Sequence, residues 1–159
     1  MTGMVAALNR FVSRSSDRCR PFFQLLRKKA GYVWGEDCEE AFQALKKYLA
    51  TPPLISSPKT EDVLTLYLAV SEHAVSAALI REEDRQQQPV YYISKTLLDA
   101  ETRYLPLEKL LLALVTSSRK LRHYFLAHRI EVPTVHPLAS VLRKADLSGR
   151  VAAWSVELG

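Results

Sequence analysis

The 159 residues carry 48% hydrophobic and 25% charged side chains and a formal charge of +5, an ordinary globular make-up able to bury one sizeable core. The longest apolar run, Leu110 to Val115, is far short of the roughly 20 residues that cross a bilayer. Two cysteines, Cys19 and Cys38, sit among polar neighbours without metal-type spacing, which argues against a disulfide framework or a zinc site and makes a reducing compartment, cytoplasm or nucleus, the default.

Charge is concentrated at the start. Residues 1–30 hold Arg10, Arg14, Arg18, Arg20, Arg27, Lys28 and Lys29 against Asp17 alone, seven against one, so this segment is +6 and the remainder −1. Such a segment is a candidate contact for nucleic acid, an acidic partner or a membrane surface, with a plain solvated helix face as the bland alternative. Its Arg/Ser-rich, acid-poor composition also fits a mitochondrial transit peptide. Apolar spacing predicts two short helices, Val5–Val12 and a second one opened by Pro21 and ended by Gly31, split by the Ser-rich Ser13–Asp17 stretch. After Trp34-Gly35-Glu36-Asp37, the positions Cys38, Phe42, Leu45, Tyr48 and Leu49 recur at helical spacing until Thr51-Pro52-Pro53.

Val63–Val70, Ala74–Arg81 and Val90–Ser94 read as three strands of an antiparallel meander, with Glu82–Gln88 as a charged loop ending at Pro89. Pro106–Ala127 is one long amphipathic helix by its leucine spacing, and Ile130–Val135 a fourth strand whose Pro133 suits an edge or a bulge. Pro137–Lys144 and Arg150–Leu158 are short helices around Ser148-Gly149. Helices, three strands, a helix, a strand and helices imply an α+β domain with a mainly meandering sheet. Trp34 and Trp154 read as packing anchors, and no Gly-rich phosphate loop, nucleophile elbow or Cys/His metal spacing occurs.

Read together, TGMVAALNRFVSRSSDRCRPFFQLLRK, WGEDCEEAFQALKKYLATPPLISSP, YLAVSEHAVSAALIREE, PVYYISKTL, RYLPLEKLLLALVTSSRKLRHYF and VPTVHPLASVL resemble, in order, the stretch of a gypsy-type LTR retrotransposon polyprotein running from the end of the reverse transcriptase into its RNase H. The resemblance implies an RNase H-like fold, with a mixed, mainly antiparallel sheet of about four strands. It divides the chain into a helical segment 1–57, like the reverse transcriptase connection, and a truncated RNase H-like domain 58–159. It also implies that Met1 and Gly159 both fall inside the polyprotein pattern.

The family's enzyme holds two divalent ions with carboxylates, because in-line phosphodiester attack needs both oxygens clamped by cations. On the resemblance, its three ligand positions visible in this chain are held by Ala69, Leu110 and Val135, all apolar. Glu108 lies roughly 200° around a helix from Leu110, and Glu72 has strand parity opposite to Ala69, so neither is expected to replace a lost ligand. The expectation is a catalytically silent RNase H-like protein, a domesticated or selfish factor acting as inhibitor or toxin through protein contact, with no metal or cofactor. The contact expected is a homodimer or protein partner at the unpaired edge of the fourth strand, through Ile130, Val132 and Thr134. Weak nucleic-acid binding through the basic N-terminus and residual RNase H activity are the alternatives.

Overall fold

Alternation along LTLYLAV puts Leu64, Leu66, Leu68 and Val70 on one face and Thr65, Tyr67 and Ala69 on the other, the period of a half-buried strand. The computed structural model describes residues 3, 7–27, 31, 33–143 and 149–158. It contains four strands, β1 Leu64–Val70, β2 Ala74–Glu83, β3 Gln86–Thr96 and β4 Ile130–Glu131, in the order β3-β2-β1-β4. The first three form an antiparallel meander, and β4 joins β1 in parallel, Leu64 opposite Ile130 and Thr65 opposite Glu131. The expected α+β class and mixed, mainly antiparallel sheet are present.

The helices are α1 Ser15–Arg18, α2 Arg20–Arg27, α3 Glu36–Ala50, α4 Pro106–Lys120, α5 Arg122–Ala127, α6 Leu138–Leu142 and α7 Gly149–Leu158, with 3-10 turns at Asn9–Phe11 and Glu101–Arg103. Among the described residues, no helix is long and apolar enough to cross a membrane. α4 covers the face carrying Leu64, Leu66, Ala77, Leu79, Val90 and Ile93, to which Leu114 and Leu121 contribute from the helical side. The opposite face, with Ser76, Tyr92 and Ser94, receives the N-terminal segment, where the Ser16 amide donates to Ser94 Oγ at 3.0 Å. Val12, Cys19, Phe22, Cys38 and Leu45 form a second buried cluster between that segment and α3. Trp34 stacks on Phe22 at 5.8 Å and Trp154 lies 6.3 Å from Tyr104, so both tryptophans are packing residues as expected.

Four boundaries differ from expectation. The supposed loop Glu82–Gln88 is a continuous hairpin, its turn made by Asp84 and Arg85 at φ 52° and 61°, the two positive angles of a type I′ turn; its polar ladder residues disguise it as a loop. The long helix Pro106–Ala127 breaks at Leu121, whose φ of −110° accompanies a fully buried side chain in the sheet core. The fourth strand stops at Glu131 rather than Val135, because Val132 turns into the core and Pro133 has no amide to donate. At the N-terminus, Ser15–Arg18 is itself helical, and within the first predicted helix Ala7 and Leu8 are helical and lead into the 3-10 turn Asn9–Phe11. The start of that helix at Val5, the end of another at Lys144, and Ser148 lie outside the described residues.

A buried cation ties the connector before β1 to the hairpin. The Arg81 side chain is 7% exposed, with Nε 3.1 Å from Asp62, Nη2 3.4 Å from Glu83, and Nη1 donating to the Ser57 carbonyl at 3.3 Å. The Nε contact lacks hydrogen-bond alignment, so it is mainly Coulombic. Lys59 also pairs with Glu83, and these two cations hold the Glu83 carboxyl below its ordinary range. Replacing Arg81 with Met is expected to cost about 2 kcal/mol, because Asp62 and Glu83 lose their shared partner while retaining some solvent. A chemical denaturation midpoint unchanged by R81M would show that the pair contributes nothing.

Candidate functional site

The three positions expected to have lost carboxylates occupy three different environments. Ala69 is exposed near the end of β1, opposite Ser76 of β2. Its side borders a cavity of about 100 Å³ lined also by Ser13, Arg14, Tyr67 and Tyr92. The N-terminal segment thus reaches the face where a metal ligand from β1 would project. Leu110 is 7% exposed on α4 and packs with Leu111 and Leu138 against Leu68 and Val70. Those two are the neighbours of Ala69 that point the other way, so Ala69 and Leu110 address opposite faces of β1. Val135 lies past the end of β4 and is 99% exposed. Of the three apolar side chains, Leu110 alone belongs to a buried cluster.

The nearby acids are committed elsewhere. Glu108 accepts from the Leu105 amide at 2.9 Å and from Arg150 at 3.2 Å, capping the first turn of α4 behind Pro106. Glu72 is solvent-exposed beside His73. Asp17 pairs with Arg14 at 3.3 Å and accepts from Ser71 Oγ at 2.8 Å. Among the described residues, no group of three or more His, Cys, Asp or Glu side chains converges. Hard divalent ions need several oxygen ligands, and the donor set around these positions does not fit a pair of them. His136, whose amide donates to Thr134 Oγ1 at 3.1 Å, sits on an exposed turn.

The N-terminal cations among the described residues are not one patch. Arg10 lies 5.0 Å over the Tyr91 ring and Arg18 4.6 Å over Tyr48, with Arg18 Nε donating to the Ser13 carbonyl; such contacts hold Arg against aromatic faces. Arg14 is paired with Asp17, and Arg20 lines an open groove of about 340 Å³ with Phe23, His73, Thr96 and Asp99. The Arg27 side chain, Lys28 and Lys29 lie outside what the structure describes. Of the edge residues, Ile130 alone belongs to β4; Val132 is half-buried against the core and Thr134 is exposed beyond the strand.

A second basic run escaped the charge bookkeeping because it was averaged into a near-neutral body. From Arg119 to Arg129 the chain carries Arg119, Lys120, Arg122 and Arg129 with no acid, and all four are exposed. The signal was local, an acid-free interval between Glu108 and Glu131.

Residues 34–132 match the family described as an RNase H-like domain found in reverse transcriptase. Among curated relatives, the retrovirus-related Pol polyprotein from transposon 297 of Drosophila melanogaster is 27% identical over 158 residues, covering 98% of this chain and 14% of that protein. The transposon Tf2-3 polyprotein of Schizosaccharomyces pombe is 27% identical over 150 residues, covering 94% of this chain and 11% of its own length. The chain thus spans a small part of these relatives. In fold it is similar to the foamy viral protease-reverse transcriptase dRH in complex with ds DNA, at TM-score 0.77 and 16% identity over 98% of this chain and 28% of that one. The foamy viral protease-reverse transcriptase in complex with RNA/DNA hybrid gives 0.72 and 20% over 99% and 22%.

Proposed function

Because the chain belongs to the RNase H-like domains found in reverse transcriptase and matches a short stretch of retrotransposon polyproteins, we propose that it is a non-catalytic member of that fold which works by protein contact. The observation that carries this reading is the set Ala69, Leu110 and Val135, with Leu110 built into the core where a ligand carboxylate would be needed. A charge in that position would be uncompensated, so the core and the chemistry are mutually exclusive there. On this reading the factor acts as an inhibitor, by occupying a partner.

Support for nucleic-acid binding through the N-terminus is weaker, since Arg10, Arg14 and Arg18 are engaged within the molecule. Self-pairing at β4 has one free strand edge to work with, but two residues supply few main-chain groups. The decisive experiment incubates the full chain with a labelled RNA/DNA hybrid and magnesium or manganese. No cleavage is expected; cleavage abolished by a chelator would overturn the proposal.

A further inference from the structure

The corner where α4 turns into α5 faces the C-terminal helix α7 across a groove of about 810 Å³ lined by Arg119, Arg122, Phe125, Leu126, Glu157 and Leu158. Resting on the reading of this chain as a protein-contact module, we propose that this groove docks an acidic segment of a partner protein carrying one bulky apolar side chain.

Charge and apolarity coincide here. Arg119 is clamped by Glu157 through two hydrogen bonds of 2.6 Å, which keep the Glu157 carboxyl below and the Arg119 guanidinium above their ordinary ranges. That pair braces the groove between α4 and α7, and it leaves the groove's other cation unneutralised: among the described residues Arg122 has no acidic partner. The last-turn positions of Arg119 and Lys120 on α4 suit its helix dipole, but Arg122 opens α5, the end at which a cation is disfavoured. Its own helix does not account for it.

The floor and rim supply the second half of the recognition. Leu126 is 78% exposed at the groove, while Phe125 and Leu158 are only partly covered by the core. A phosphate backbone would satisfy Arg122 but leave Leu126 in water. An acidic segment with an apolar anchor satisfies both, pairing a carboxylate with Arg122 and burying its side chain against Leu126 and Phe125. Peptide-in-groove recognition of this kind combines apolar anchors with flanking charge.

The test uses the full chain and a short fluorescein-labelled peptide of Glu and Leu at helical spacing, read by anisotropy. Binding is expected that weakens as salt rises, and that falls about tenfold with Arg122→Glu and with Leu126→Ser at unchanged melting temperature. Matching peptides with Gln for Glu, or Ser for Leu, are expected to bind about tenfold more weakly. No binding, equal binding of the Gln peptide, or insensitivity to both variants would overturn the proposal. So would preferential binding of single-stranded RNA at Arg122, or self-association in sedimentation that the same variants abolish. A chain that neither cleaves hybrid nor binds peptide overturns the groove and leaves the non-catalytic reading standing; cleavage overturns that reading instead.

Discussion

A chain lacking residues 1–30 is expected to lose cooperative folding. Val12, Cys19 and Phe22 are each less than 5% exposed, and all lie within the deleted segment. Burying one such side chain is worth about 1.5–3 kcal/mol, so the group supplies roughly 5 kcal/mol, comparable with the whole stability of a domain, about 5–15 kcal/mol. The deletion also removes the Ser16 to Ser94 hydrogen bond and the Asp17 acceptor of Ser71, and it uncovers Tyr91 from beneath Arg10. Cys38 and Leu45 on α3, and the Tyr92 face of the sheet, would then meet water. The expected readout is low soluble yield, a broad or absent thermal transition by circular dichroism, and binding of a hydrophobic dye. A shortened chain that melts like the full one would show instead that the opening segment is separable, which is what a cleaved targeting peptide requires.

Returning carboxylates to the three family positions is expected to separate them sharply. Leu110→Glu removes a core leucine at 7% exposure and places a charge among Leu111, Leu138, Leu68 and Val70. The lost packing and the unpaired carboxylate together cost about 4 kcal/mol or more. Burial raises the pKa of the introduced carboxyl in the folded state above its unfolded value, so the folded chain binds more protons and stability rises as pH falls. The penalty is therefore full well above the folded-state pKa and shrinks as pH approaches the ordinary carboxylate range. Ala69→Asp and Val135→Asp replace exposed side chains and are expected to stay within about 0.5 kcal/mol of the parent. Urea denaturation of each variant at neutral and mildly acidic pH measures both the ordering and its pH dependence. Equal stability of Leu110→Glu and the parent would mean that this part of α4 opens onto a site and not onto a core, and the non-catalytic reading would lose its main support.

Local patterns that coincide with tertiary burial were readable beforehand. The apolar spacing from Cys38 to Leu49 specified α3, which runs Glu36–Ala50, because its helical stripe is also its buried face. The β-branched and alternating stretches specified β1 and β2 for the same reason. The family pattern pointed to Ala69, Leu110 and Val135 along the chain but carried no information on their surroundings. One turned out exposed beside the N-terminal segment, one buried, and one fully in solvent. Where local preference and tertiary context disagree, the reading slipped. Glu82–Gln88 has the composition of a loop, yet its backbone continues the ladder through a two-residue turn. Leu121 has the spacing to continue a helix, yet its burial in the sheet core accompanies the break.

The Arg-rich opening illustrates the same limit. Counting charge marked the opening as a candidate contact, but Arg14 pairs with Asp17, and Arg10 and Arg18 are directed at Tyr91 and Tyr48, uncharged partners far along the chain. Meanwhile the interval from Arg119 to Arg129, unremarkable in total charge, acquires a groove only because α7 folds back against α4 and brings Glu157 to Arg119.

Amino-acid order alone determined the class of fold, the family pattern and the apolar residue types at Ala69, Leu110 and Val135, because these depend on residue type and on periodicities of two and 3.6 that act within a few residues. Only the tertiary structure decided which of those positions is core, which cations are already engaged, where the fourth strand ends and which surface is left unpartnered. Those outcomes rest on burial and pairing between segments tens of residues apart, and burial assigns an energy to a side chain only once its neighbours are known.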